Sequence, residues 1–119
     1  MAGKLVHVEI RAKDADRAQG FWSGVFGWQI SPTTTLGMDY RMFQTGEDQG
    51  GGLYEDAGNA GSLVVYFDTD DIDATIVTVR ELGGEAAEKQ AVPGYGWLAT
   101  CTDTEGNAFS LWQGDSNAA

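Results

Sequence analysis

Apolar and polar residues alternate in the stretch LVHVEI at residues 5–10. Strand side chains point alternately to opposite faces, so this alternation predicts a strand over residues 4–11. Three aliphatic side chains then share one face, while His7 and Glu9 share the other. Because His7 is the only histidine of the chain, the surroundings of that second face decide what the histidine does.

A helical pattern follows this strand, since apolar residues recur at intervals of three and four. Asp14 or Asp16 can cap the helix at its start, and Gly27 ends it. Gly20 and Gly24 weaken the helix by about 1 kcal/mol each relative to alanine; either the helix lies close on a sheet, or the two glycines are merely tolerated. The predicted apolar stripe consists of Ala18, Phe21, Trp22, Val25 and Phe26.

The second half of the chain repeats the first. After three strand-like stretches and a small polar segment at 57–62, the pattern of strand, aspartate-rich cap, helix and glycine stop returns over 62–84. Aligning DADRA with DIDAT gives a shift of 57 residues, which sets Trp97 opposite Tyr40; the last strand needs a shift of 58. Each half is predicted as β-α-β-β-β and is too small to fold alone, so the two form one domain over 1–119, with modules at about 3–56 and 62–115.

Composition excludes some partners. The net charge of −11, from 18 acidic and 7 basic residues, argues against nucleic acid and against an anionic membrane surface. The N-terminus lacks a signal-peptide pattern, and no apolar run reaches the roughly 20 residues of a membrane span. Cys101 is the only cysteine, which rules out an internal disulfide and favours a cytoplasmic location; we interpret this thiol as a packing residue.

Four stretches of the chain carry a resemblance to a known superfamily: HVEI, FWSGVFGWQI, VYFDTDDIDAT and GYGWLATCTDTEGNAFSLWQ. Together they resemble the vicinal oxygen chelate superfamily, which includes glyoxalase I, extradiol dioxygenases, and bleomycin and fosfomycin resistance proteins. The resemblance covers nearly the whole chain and implies an α+β fold, in which two βαβββ modules form paired half-cup sheets around a cavity.

The resemblance also implies where a metal ion would bind. Metal-dependent members place one ligand on the first strand and one on the last strand of each module. These positions correspond here to His7, Gly52, Val64 and Ser110, and only the histidine is a suitable ligand. Glu9, on the same face as His7, could contact an ion together with it. A third ligand would have to come from Asp39, Glu55 or a second subunit. We therefore expect no metal and no cofactor.

Strand parity and the resemblance together predict a ligand pocket rich in aromatic residues, which suits a flat or cationic ligand. The alternative is that these aromatics fill the core and leave no cavity; Trp22 and Trp28 are assigned to the core or an interface. Within the pocket, an ionised Glu9 close to His7 would favour the imidazolium form. The predicted lining is His7, Glu9, Met42, Tyr66, Trp97, Ser110 and Trp112.

Three functions remain open at this point. The first is a metal-free protein that binds an aromatic or cationic metabolite or antibiotic, similar to the antibiotic-sequestering members of the superfamily and homodimeric as they commonly are. The second is a lyase, isomerase or oxygenase with His7 and Glu9 as candidate catalytic residues, with or without a divalent metal. The third is a regulatory or structural partner whose pocket is vestigial.

The glycine-rich segment GEDQGGG at 46–52 does not predict a phosphate-binding loop, since it lacks the lysine and the following helix of such a loop.

Overall fold

The computed structural model describes residues 3–33 and 37–119. Contacts among these residues separate two units. The first unit covers His7–Val64, and the second unit covers Val65–Ala119 together with the segment that ends at Val6. The expected single domain with modules at about 3–56 and 62–115 stays a prediction. Within the described part of the chain, neither α-helix has the length and hydrophobicity that a membrane crossing requires.

The first unit is a four-stranded sheet with one helix. Its strands lie in the order β2-β3-β4-β1, with β1 parallel to β4 and the remaining pairs antiparallel. The elements are β1 (Leu5–Ala12), α1 (Ala15–Phe26), β2 (Ser31–Thr33), β3 (Tyr40–Gly46) and β4 (Gln49–Glu55), followed by a short 3-10 turn (Ala57–Asn59).

Local capping fixes both ends of α1. The carboxylate of Asp14 accepts a hydrogen bond from the backbone N–H of Arg17 at 3.0 Å, and Gly27 takes a left-handed φ of 72°. Both residues were predicted for these roles, and both predictions are confirmed. A long-range contact adds to the cap, because Glu55 Oε2 accepts from the backbone N–H of Ala15 at 3.0 Å. This carboxylate joins the end of β4 to the positive end of the helix dipole.

One face of the first sheet carries α1 and the core. Ile10, Ile30, Phe43 and Leu53 are buried there with Ala15. Side chains that pack against this cluster include Ala18, Trp22 and Trp28. The assignment of Trp22 and Trp28 to the core is thereby confirmed.

The predicted apolar stripe of α1 is only partly buried. Phe21, Val25 and Phe26 are 62%, 54% and 58% exposed, so a neighbouring surface covers only the Ala18 and Trp22 part of the stripe. Helical periodicity identifies the side of a helix that is apolar, but it does not state how much of that side a neighbour covers. A Cβ added at Gly20 or Gly24 would meet nothing within 4 Å, so close packing does not explain these glycines, and they are tolerated.

The second unit repeats this arrangement. Its strand order is β5-β9-β8-β6, with β7 pairing a further part of β8; β5 is parallel to β9, and the pairs made by β8 are antiparallel. The predicted α+β class is confirmed, although the strand after α2 comes in two pieces, β6 and β7. The elements are β5 (Leu63–Asp68), α2 (Ile72–Glu81), β6 (Glu85–Ala86), β7 (Gln90–Val92), β8 (Gly96–Thr102) and β9 (Ala108–Gly114).

Equivalent side chains cap α2. Asp71 accepts from the backbone N–H of Ala74 at 3.0 Å, and Gln113 Oε1 accepts from the backbone N–H of Ile72 at 2.8 Å, as Glu55 does in the first unit. Cys101 lies in the buried cluster of this unit, and burial raises the pKa of its thiol. A buried thiol with a raised pKa is a poor nucleophile, which agrees with its interpretation as a packing residue.

Candidate functional site

The face of the first sheet opposite α1, here called its far face, brings together the residues singled out on β1. The strand register pairs Glu9 with Gly52 and Gly52 with Met42. Paired residues point to the same side of a sheet, so these three share the far face. Two tyrosines also lie there, and the rings of Tyr40 and Tyr54 stack with centroids 5.8 Å apart.

A hydrogen-bonded chain crosses this far face. The hydroxyl of Tyr40 donates to Glu9 Oε2 at 2.9 Å, and His7 Nε2 lies 2.6 Å from the same phenol oxygen. A phenol has one proton. If that proton is donated to the carboxylate, the imidazole must donate from Nε2, which assigns the histidine tautomer. Tyr40 is 6% exposed, so the chain is centred on a buried tyrosine.

Burial dominates the protonation of His7. It lowers the pKa of the imidazole, and the negative charge of Glu9 raises that pKa by a smaller amount. The net direction is downward, so the neutral imidazole is favoured at neutral pH. The Glu9 charge favours the imidazolium form, as expected, but desolvation outweighs this Coulombic attraction. The pKa of Tyr54 is raised, first by burial and then by the Glu9 charge.

Gly52 makes room for this arrangement. A Cβ at position 52 would overlap the ring of Tyr40, so the tyrosine packs across β4 only because this residue is glycine. Position 52 is also the position at which the resemblance implied a metal ligand. The phenol ring thus fills the space that a ligating side chain at 52 would need.

The donor set does not fit a divalent metal. Among the residues that the structure describes, no three His, Cys, Asp or Glu side chains are grouped as ligands. His7 Nε2 is engaged by Tyr40. Both alternative ligands have other partners, since Asp39 accepts from Arg41 at 2.9 and 3.1 Å and Glu55 accepts from the backbone of Ala15. Supplying three protein ligands here would require several of these contacts to break.

The far face of the second sheet, opposite α2, is organised around Ser110. The register pairs Ser110 with Tyr66 on one side and with Thr100 on the other. Ser110 is 1% exposed, and its buried Oγ has no hydrogen-bond partner within the described residues. Leaving such a hydroxyl unsatisfied costs about 1–3 kcal/mol. Trp112 lies two residues along β9 on the same face, in register with Leu98.

Trp97 is a correction to the predicted lining. It pairs with Gln113 and packs against the buried cluster under α2, which places it on the face opposite to Ser110. Its indole N–H donates to Asp115 at 3.1 Å, and the Lys89 ammonium lies 4.6 Å from the ring centroid. The repeat shift of 58 residues, predicted only for the last strand, applies to β8 as well. The module-two equivalent of Tyr40 is therefore Leu98. The shift of 57 placed Trp97 on the wrong face of the sheet.

The six other predicted residues lie on far faces: His7, Glu9 and Met42 in the first unit, and Tyr66, Ser110 and Trp112 in the second. Sequence reasoning missed the roles of Tyr40 and Tyr54. The available signal was the run Gly50–Gly52, because glycines within a strand are typical of a close approach to its backbone, but they do not indicate what approaches it.

Comparison with known proteins confirms the resemblance to the vicinal oxygen chelate superfamily. The sequence model described as the glyoxalase-like domain matches residues 7–112. A curated relative, the anthracycline biosynthesis protein DnrV of Streptomyces peucetius, is 27% identical over 88% of this chain and 45% of its own length. The chain thus spans less than half of that relative.

Solved structures share the fold at low identity. The hypothetical protein BH1468 from Bacillus halodurans C-125 superposes with a TM-score of 0.70 at 15% identity, over 98% of both chains. A Streptomyces coelicolor methylmalonyl-CoA epimerase variant in complex with 2-nitronate-propionyl-CoA gives 0.66 at 17%, over 100% of this chain and 99% of the other. The Mycobacterium tuberculosis epimerase gives 0.67 at 16%, over 95% and 88%. These likenesses establish the fold alone.

Proposed function

Since the chain belongs to the glyoxalase-like domain family, we propose that it binds a small molecule, without a metal ion, on the far face of the first sheet. The observation that carries this proposal is the Tyr40 phenol held between His7 Nε2 at 2.6 Å and Glu9 Oε2 at 2.9 Å. Small-molecule sites combine aromatic and apolar walls with a few polar groups that fix the orientation of the ligand. Tyr40 and Tyr54 are the aromatic wall, and the hydrogen-bonded chain is the polar part.

The ligand class is an aromatic or cationic metabolite or antibiotic. The half-buried Tyr54 ring, stacked on buried Tyr40, offers a π face to a flat ring or a cation, and the Glu9 carboxylate favours positive charge. Exposed Met42, on the same face, adds an adaptable apolar contact. The name of the relative DnrV links that protein to anthracyclines, which are fused-ring aromatic compounds, and this supports the aromatic part of the proposal.

The far face of the second sheet supports ligand binding by a separate observation. The buried, unsatisfied Ser110 hydroxyl would gain a hydrogen bond if a ligand or an ordered water reached it. Tyr66 pairs directly with Ser110, and Trp112 shares their face. We propose that these three residues also contact ligand.

A screen tests the proposal. Aromatic and cationic metabolites are added to the protein, with methylmalonyl-CoA as an anionic comparison, while melting temperature and the NMR signal of His7 are followed. We expect at least one aromatic or cationic compound to raise the melting temperature and shift the His7 signal. Tyr40→Phe should weaken binding about tenfold, the equivalent of one hydrogen bond, whereas Tyr95→Phe, at a 53% exposed position, should not. If no compound changes both readouts, or methylmalonyl-CoA alone does so, the proposed ligand class is wrong.

An acid–base enzyme is the second candidate, and the same hydrogen-bonded chain favours it. Neutral His7 has an unprotonated ring nitrogen, Nδ1, and its Nε2 is linked through Tyr40 to the Glu9 carboxylate, which accepts a hydrogen bond from the phenol. Such a group is suited to proton abstraction, as in a lyase or isomerase. A bound compound is incubated with the protein in deuterium oxide, and its mass is measured. Deuterium uptake that disappears in His7→Gln identifies an enzyme, and its absence leaves a binding protein.

Metal content, assembly and location complete the proposal. We propose a metal-free, cytoplasmic homodimer. Protein purified without a histidine tag or chelator should contain less than roughly a tenth of an equivalent of any transition metal. Light scattering should give twice the mass of the chain. Stoichiometric metal would restore the metal-dependent alternative, and a monomeric mass would remove the dimer from the proposal.

A further inference from the structure

A second concave surface lies on the other side of the first unit. It is a groove of about 720 Å³ between the start of α1, the end of β1 and the segment 60–63, here called the α1 groove. This volume falls in the range of small-molecule sites. Ala18 and Trp22, which pack against the buried cluster under α1, line the groove, so it lies on the opposite side of the sheet from His7 and Glu9.

The α1 groove concentrates positive charge in an acidic protein. Two of the seven basic residues, Lys13 and Arg17, line its interior; a third, Arg11, extends from the far face beside Tyr54 and borders the groove at Ser62. Within the described parts of the chain, no carboxylate lies within ion-pair distance of any of the three. Three of the four other basic side chains are paired: Arg41 with Asp16 and Asp39, Arg80 with Glu88, and Lys89 with Asp73.

The one acidic side chain of the groove offsets only part of this positive charge. Asp14 caps α1 by accepting from the backbone N–H of Arg17. Arg11 Nη2 donates to Ser62 Oγ at 2.8 Å, and Ser62 Oγ donates to the carbonyl of Asn59 at 2.7 Å. These bonds hold segment 60–63 against the end of β1. The groove therefore keeps an excess of positive charge, although the chain as a whole carries a net charge of −11.

Aromatic rings form the apolar part of the groove. Phe21 is 62% exposed, and its ring meets that of Trp22 edge to face, with centroids 5.7 Å apart and planes at 86°. The groove thus offers an exposed aromatic ring next to positive side chains. A ligand that joins an aromatic ring to a negative group would match both features. Apolar area would be removed from water, and the cations would gain a counter-charge.

We propose that the α1 groove binds a small aromatic anion, a ring compound that carries a carboxylate, sulfonate or phosphate group. The ring lies against Phe21 and Trp22, and the anionic group lies toward Lys13 and Arg17. This site is separate from the far face on which the proposed function rests, so each is tested without the other.

Two fluorescent probes that differ in one group test the proposal. Anilinonaphthalene sulfonate carries the anion, and N-phenyl-1-naphthylamine is its neutral counterpart. Lys13→Gln and Arg17→Gln should each weaken sulfonate binding about threefold, and the double variant about tenfold, as expected for solvent-exposed ion pairs. Affinity for the neutral probe should not change. Raising ionic strength should weaken binding of the sulfonate only.

Lys4→Gln is the matched control, because it removes one positive charge in the second unit and changes net charge equally. Circular dichroism and melting temperature check that each variant is folded. The proposal is overturned if the sulfonate does not bind, if Lys4→Gln weakens it as much as Lys13→Gln, or if the groove variants leave its affinity unchanged. Equal weakening of the neutral probe would also overturn it, since the groove would then select for apolar surface rather than charge.

Discussion

Deleting a single oxygen atom from Tyr40 tests the organisation of the candidate site. The substitution Tyr40→Phe keeps the ring, which is 6% exposed, and removes only the hydroxyl. That hydroxyl donates to Glu9 Oε2 at 2.9 Å and lies 2.6 Å from His7 Nε2. No cavity larger than one atom is created, so the change in free energy of unfolding measures the hydrogen bonds rather than packing.

The expected loss follows from the two contacts. A hydrogen bond to a charged acceptor contributes about 1.5–3 kcal/mol, and one between neutral groups contributes about 0.5–1.5 kcal/mol. His7 and Glu9 each have further interactions, which compensate in part. We therefore expect Tyr40→Phe to lower the free energy of unfolding by about 2 kcal/mol, a large part of the roughly 5–15 kcal/mol of a domain of this size.

Urea denaturation followed by tryptophan fluorescence and circular dichroism supplies the measurement. Tyr95→Phe is the control, because it deletes the same atom from a tyrosine that is 53% exposed. Surface substitutions of this kind usually change stability by less than about 0.5 kcal/mol. If Tyr40→Phe and Tyr95→Phe differ by less than that amount, the phenol does not link His7 to Glu9 in solution, and the proposed polar anchor is lost with it.

Further predictions concern the same faces. The NMR titration of His7 should give a pKa below the ordinary 6.5, and Glu9→Gln should lower that pKa further. The free energy of unfolding should fall by up to about 1.4 kcal/mol per pH unit as pH decreases from 6.5 through the folded-state pKa, because the unfolded chain then binds more protons than the folded chain. Gly52→Ala should destabilise by about 1–3 kcal/mol through overlap with a neighbouring ring, whereas Gly24→Ala should stabilise by about 0.5–1 kcal/mol. Ser110→Ala should be neutral or stabilising by up to about 1 kcal/mol and should weaken any ligand that bonds to the hydroxyl.

These predictions have separate controls. Glu47→Gln removes a carboxylate that does not act on the imidazole, so the pKa of His7 should not change. An unshifted or raised pKa in wild-type protein would mean that burial does not dominate. Equal effects of Gly24→Ala and Gly52→Ala would remove the argument from ring overlap. A large loss of stability in Ser110→Ala would show that its hydroxyl is satisfied inside the protein.

Local features were predictable from sequence, since neighbouring residues determine them. Asp14 and Gly27 end a helix through their own backbone and side-chain geometry, and alternation alone set His7 and Glu9 on one face. The Tyr40 bridge depends instead on the register between β3, β4 and β1, which places a residue more than thirty positions away beside both. Hydrophobic pattern does not determine such a register, because every even shift of a strand keeps the same side chains on the same face.

An odd shift has the opposite effect, and Trp97 illustrates it. The repeat has one additional residue in the second module, and its position decides which side of β8 faces the helix. Placing it after β8 puts Trp97 on the far face, and placing it before β8 puts Leu98 there. The structure has the second arrangement, in which Trp97 pairs with Gln113 and packs under α2. A single residue of shift thus reverses every side chain of a strand.

With the shift of 58 applied to β8 and β9, residues that pair across neighbouring strands can be compared between the two modules. Glu9, Gly52 and Met42 form one row, and Tyr66, Ser110 and Thr100 form the other. In the first module glycine leaves space that the Tyr40 ring fills, and the polar groups around it are bonded to one another. In the second module a serine takes the glycine's position, and its buried hydroxyl has no partner in the described structure. The bonded network stabilises the fold and also orients His7 and Glu9 for a ligand, whereas the unsatisfied hydroxyl contributes no stability until a ligand bonds to it. Ser110→Ala should therefore reduce ligand affinity without loss of stability, while Tyr40→Phe should reduce both.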